Sequence, residues 1–185
     1  MSHHAVVSQE SIIEFWFDEL SPSQWFEKDE KLDLRIATEF LPTLEAASRC
    51  ELHQWRASAH GRLAEIIVLD QFSRNVYRNT AQAFRQDALA LGLAQEAIAL
   101  GQDARLGPQE RKFLYMPYMH SESRYIHQLA ERLFHALNDP ISYDYELGHK
   151  AIIDRFGRYP HRNEILGRTS TAEELEFLTL PGSSY

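Results

Sequence analysis

The chain has 185 residues, 44% of them hydrophobic and 25% charged. That is the composition of an ordinary soluble globular protein, long enough to bury a core without a disulfide or metal staple, and it excludes disordered and fibrous classes. A formal net charge of -8 opposes a phosphate-tracking surface, so no nucleic-acid partner is expected. No apolar run approaches the roughly 18 residues of a membrane-spanning helix, which excludes a membrane partner of that kind. The single cysteine, Cys50, allows no internal disulfide, and the N-terminus lacks a basic stretch followed by a long apolar core, so the expected compartment is the cytoplasm.

Apolar spacing is helical nearly throughout, and no stretch alternates as a strand would. The pattern predicts one all-helical domain over residues 1–185, with residues 1–7, His3 and His4 among them, as a disordered tail. Ser8 or Ser11 caps a first helix carrying "IIEFWF", which ends before Pro22. Trp16, Phe17, Trp25 and Phe26 read as core anchors. Residues 28–48 form a second helix, bent near Pro42, and "RLAEIIVLDQFSRNVY" a third. There Leu63, Ile67, Asp70 and Arg74 share one face, so the apolar stripe runs into a carboxylate and a guanidinium that must be buried as a pair. Arg78 extends that ridge, with Gln71 and Asn75 beside it.

A fourth helix, "RQDALALGLAQEAIAL", closes at Gly101. A fifth starts at Gly107-Pro108, is interrupted at Pro117, and resumes as "ESRYIHQLAERLFHAL". Extrapolating its stripe backward places Glu122, with His120 just before it, in a core position. In "YELGHKAIIDRF", ended by Gly157, His149 lies on the stripe of Ile152, Ile153 and Phe156. The following "RFGRYPHRNEILGR", residues 155–168, is read as a turn into a short helix "EIL" capped by Asn163, with backbone N–H groups free for an anion. Thr171 and Glu174 form a capping box for the last helix.

Fifteen of the 19 cationic residues are arginine, whose planar fork grips carboxylates and phosphates and tolerates partial burial. Polar residues on core stripes of three helices point to one shared interior pocket. Arg74, Arg78, Arg158, Arg162, Asn163, Gln71 and Asn75 are its expected ligand-binding residues. His120, Glu122, His161 and Asp70 are its acid–base candidates, because titratable groups in an apolar interior acquire shifted pKa values. Asp70 and Glu122 cannot satisfy four guanidinium groups, so the expected ligand is a small anionic molecule. No nucleotide or nucleophile motif is present, no cofactor and no metal are expected, and whether the protein is an enzyme is left open. A helical scaffold for a peptide or protein partner is the alternative reading. A metal-dependent enzyme is a weaker one, since the histidines lack a spacing such as HExxH.

The stretches "FWF" (15–17), "WF" (25–26), "LDQFSRN" (69–75), "RKFLYMPYMHSE" (111–122), "RFGRYPHRNEILGR" (155–168) and "TAEELEFL" resemble the bacterial family catalogued as domain of unknown function 924. The resemblance covers nearly the full length. It implies an all-helical fold similar to tetratricopeptide-type superhelices without the standard repeat, and it implies no activity.

Overall fold

A computed structural model describes residues 5–184; residues 1–4, and with them His3, His4 and most of the expected tail, lie outside the described residues. Regular structure among the described residues is helical throughout, with no strand. The chain divides into two compact units, Met1–Arg78 with Gln82–Pro117 and Asn79–Ala81 with Tyr118–Tyr185.

In the first unit, α1 (Gln9–Glu14) starts at Ser8, whose hydroxyl accepts the Ser11 N–H. Upstream of this cap, the Val7 N–H donates to Thr43 Oγ1 at 3.1 Å, which ties down the last residue of the expected tail. The helix widens at Phe15–Glu19 into a π-turn. Helix α2 (Glu30–Ser48) is capped by Asp29 and carries Pro42 inside it. Helix α3 (Ala59–Ile67) runs into a second π-turn, Val68–Phe72, before α4 (Ser73–Val76). Both π-turns fall where aromatic side chains meet: Phe15 lies 4.7 Å from Phe40 and 5.9 Å from Phe72, and Trp16 packs on Phe72 and Phe113. An inserted residue widens the turn and rotates the side chains that follow, which lets large rings on one helix face a common core. Helix α5 (Asp87–Ala99) ends at Gly101 in the left-handed region, φ 64°.

Three sequence expectations change. Phe26 is 60% exposed, stacks on Phe113 and carries the Lys112 ammonium 4.9 Å over its ring, so it packs at the surface and is no core anchor. Helix α6 (Pro108–Met119) keeps its course through Pro117, and the chain after it restarts as a separate helix, α7 (Arg124–Ala136), because Ser123 caps a new N-terminus. The "EIL" stretch forms hydrogen-bonded turns instead of a helix.

The second unit is built on α7 packed against α8 (Pro140–Phe156). Asp139 caps α8, which thus starts five residues ahead of "YELGHKAIIDRF", and Gly157 ends it at φ 69°. After a short 3-10 turn at Pro160–Arg162, α9 (Ala172–Leu178) opens with the expected Thr171/Glu174 capping box.

Candidate functional site

The predicted residues of the first unit form a ladder of ion pairs. Arg74 Nη1 donates to the Asp70 carbonyl at 2.6 Å and to Asp70 Oδ1 at 3.3 Å, so Asp70 is buried and paired with Arg74. The same guanidinium reaches both oxygens of Asp87, at 3.0 and 3.1 Å. Gln71 Nε2 donates to Asp70 Oδ2 at 2.6 Å. Asn75 and Arg78 both donate to Asp33, at 2.8 and 2.7 Å. Asp33 and Asp87 sit in other helices, and the stripe of α3 carries no sign of either.

In the second unit, the last turn of α6 and the residues after it leave carbonyls that an α-helix cannot satisfy internally. Three in a row are covered by side chains. Tyr159 Oη donates to the Met119 carbonyl, Arg162 Nη2 to that of His120 at 3.1 Å, and His127 Nε2 to that of Ser121 at 2.8 Å. The next side chain, Glu122, accepts the Tyr159 N–H at 2.7 Å and both Nη atoms of Arg168 at 2.6 and 2.9 Å. Burial pushes the Glu122 carboxyl up, but the Arg168 guanidinium and the Tyr159 N–H outweigh it, and the group lies below the usual carboxylate range.

Arg168 Nε continues to Asn163 Oδ1 at 2.9 Å, and Asn163 Nδ2 donates to Ser170 Oγ and Glu174 Oε2. Arg158 grips Glu174 in two places, at 2.6 and 2.8 Å, and holds its carboxyl down to about 2. Asn163 therefore caps no helix; its amide ties the turn to α9. The shortage of carboxylates expected for the arginines is also met, because Asp33, Asp87 and Glu174 supply acceptors that helical periodicity did not count.

At the centre of this unit stands Tyr159, whose ring is fully buried. The Arg162 guanidinium lies 4.6 Å over it, and the rings of His161, His149 and His127 lie 5.5, 5.8 and 6.3 Å away. His149 Nδ1 faces the Tyr145 carbonyl at 2.7 Å, an oxygen that only accepts, so Nδ1 carries the proton and Nε2 the lone pair. Burial drives the His149 imidazole down to about 3, outweighing the Tyr145 carbonyl, which favours the protonated ring.

Sequence reasoning chose His120, Glu122, His161, Arg158, Arg162 and Asn163 in this unit but missed His127, Glu146, Arg168 and the central role of Tyr159. His127 was legible, since it shares a stripe with Ala130 and Phe134, and so was Glu146, three residues before His149. Among the described residues no three His, Cys, Asp or Glu side chains are arranged to hold a metal ion. Two clefts, of about 520 and 530 Å³, open in the first unit around α1. Glu14 borders both, with Glu19 and Glu39 at one and Glu10 and Asp18 at the other, and none of the predicted site residues lines them.

Fold and site together define an all-helical protein with a buried histidine–arginine cluster closed over a helix end. The chain belongs to the bacterial proteins of unknown function grouped as DUF924, whose family model matches residues 12–182. It is similar, at 38% identity and a TM-score of 0.88, to the solved structure of a protein of unknown function from Agrobacterium tumefaciens. That match covers 92% of this chain and 96% of the other. Among curated proteins none matches this chain.

Proposed function

We propose that the protein binds a small anionic molecule, such as a phosphate, sulfate or short carboxylate, at the histidine–arginine cluster around Tyr159. The observation that carries this reading is the gathering of the His161 and His149 rings, 5.5 and 5.8 Å from the buried Tyr159 ring, with the Arg162 guanidinium 4.6 Å over it, where burial holds the His149 imidazole unprotonated. An anion among these groups would offset that cost of burying charge and draw a proton onto His149. Arg162, buried over the Tyr159 ring, adds a fixed positive charge. Glu122 is held by Arg168 and the Tyr159 N–H, so it positions the turn, and acid–base chemistry on a ligand falls to His120 and His161. We assign the protein to the cytoplasm, consistent with Cys50 being a free, exposed thiol. Among the described residues no helix is long and apolar enough to cross a membrane.

The test is a thermal-shift screen with phosphate, sulfate and citrate against chloride at matched ionic strength, on wild type, Arg158→Ala and His161→Gln. A ligand at about 100 times its Kd adds roughly 2.7 kcal/mol of stability. The expected outcome is a rise in wild-type melting temperature that is larger at pH 6 than at pH 8, is accompanied by proton uptake in calorimetry, and shrinks in His161→Gln. Equal responses of wild type and His161→Gln to every anion would overturn the proposal.

A further inference from the structure

We propose that His127 and Glu146 form a one-proton latch that holds the Met119–Ser121 carbonyl clamp closed and releases it at alkaline pH. This inference does not depend on the anion reading.

Both side chains are fully buried, with His127 Nδ1 2.7 Å from Glu146 Oε1. The state of the imidazole follows from its other nitrogen. His127 Nε2 faces the Ser121 carbonyl at 2.8 Å, and a carbonyl only accepts, so Nε2 carries a proton. The Tyr159 hydroxyl, 3.2 Å from the same nitrogen, spends its own hydrogen on Met119 and meets the imidazole through its oxygen. A contact of 2.7 Å between Nδ1 and Oε1 then requires one proton between them, because two lone pairs repel.

The second carboxyl oxygen decides where that proton rests. Glu146 Oε2 is buried and has no hydrogen-bond partner among the described residues. A carboxylate would leave half its charge on that bare oxygen, whereas a neutral carboxylic acid leaves only a carbonyl. The latch is therefore Glu146 Oε1–H donating to Nδ1, and Nε2–H donating to Ser121. Burial raises the Glu146 carboxyl, in the direction this geometry requires. The other charged and titratable groups facing the pair are Glu131 on α7, Lys150 and His149 on α8, and Tyr159. Lys150 lowers the carboxyl and Glu131 raises it, and the two lie 3.9 Å apart.

The pH dependence follows from counting protons. The folded pair holds one in addition to the fixed Nε2–H. In the unfolded chain, histidine loses its charge near pH 6.5 and glutamate near 4.3. Between those values both states hold the same number, and the pair contributes no slope. Above about pH 6.5 the unfolded chain has released a proton that the folded pair keeps, so stability falls as pH rises. When the proton leaves, the Glu146 carboxylate faces a lone pair on Nδ1, His127 loses its registration, and the Ser121 carbonyl loses its donor.

Two measurements on the whole chain test the latch. Nitrogen-15 spectra of histidine-labelled wild type at pH 7 are expected to show His127 neutral, protonated at Nε2 and accepting at Nδ1. A His127 imidazolium, or an unprotonated Nε2, would overturn the proposal. In Glu146→Gln the amide can donate to Nδ1 without a titratable proton, so the clamp is kept and the latch removed. Between pH 7 and 9 the unfolding constant of wild type should rise about tenfold per pH unit relative to Glu146→Gln. Equal pH dependence in the two proteins refutes it. Should Glu146→Gln fail to fold, the spectra of wild type decide alone.

Discussion

At Arg74 a single guanidinium serves three acceptors: the Asp70 carbonyl, the Asp70 carboxylate and both oxygens of Asp87. Sequence spacing revealed the first partner, since Asp70 and Arg74 are four apart, and could not reveal the second, which comes from another helix. The distinction changes an expected magnitude. With Asp70 as the only carboxylate, Asp70→Ala would strand a buried cation and cost on the order of 3 kcal/mol or more. With Asp87 in place the guanidinium stays paired, and the single substitution should cost about 1–3 kcal/mol, the loss of hydrogen bonds and of a partner for Gln71. Adding Asp87→Ala removes the second carboxylate, and the double variant should lose a further ~3 kcal/mol. Urea denaturation measures both; a double variant no less stable than Asp70→Ala alone would show that Arg74 has no need of Asp87.

Among the elements, glycine discriminates between sequence-visible and structure-dependent constraint. Gly101 and Gly157 both stand after the last helical residue with φ in the left-handed region, as their place at the end of a periodic stripe predicts. Gly61 lies inside α3, where glycine costs about 1 kcal/mol relative to alanine, and nothing in the local pattern explains it. The reason is tertiary. A Cβ there would stand 2.0 Å from the Trp55 carbonyl oxygen and 1.9 Å from Gln9 Oε1, so α3 runs against the preceding turn and α1 with no room for a methyl group. The Gln9 side chain can move aside, but the Trp55 backbone cannot. Gly61→Ala should therefore cost about 1–3 kcal/mol. Gly92→Ala, in α5 with open space around it, should be neutral or stabilising by up to about 1 kcal/mol. Thermal melts of the pair check this, and a Gly61→Ala protein as stable as Gly92→Ala would contradict the close approach.

For the molecule as a whole, these groups predict an acid limb in the pH profile of stability. His149 sits at about 3 when folded against an ordinary value near 6.5, so the unfolded chain binds the proton first. Stability from this group is complete above about pH 6.5 and falls as pH drops toward 3. Glu174, held at about 2 by Arg158, adds a further loss below about pH 4.5. The unfolding constant of wild type should rise by up to tenfold per pH unit between 6.5 and 4.5 relative to His149→Gln, which cannot take up a proton. Parallel profiles would remove the imidazole from the acid response.

By itself the sequence determined the helical class, most helix starts and stops, the Asp70–Arg74 pair, the capping box of α9 and the family. These depend on neighbours within about one helical turn, where spacing, caps and glycine act locally. Only the tertiary structure decided that α6 carries through Pro117, that "EIL" forms turns, and that Asp33, Asp87 and Glu174 take the arginines. It alone showed Tyr159, Arg162 and His127 closing over three successive carbonyls, and Glu146 completing the latch. Apart from the local His127–Ser121 contact, those partners lie 13 to 46 residues apart along the chain, from Arg74–Asp87 to Glu122–Arg168. Which distant acceptor a buried donor finds depends on how helices pack, and helical periodicity records only the face a residue occupies.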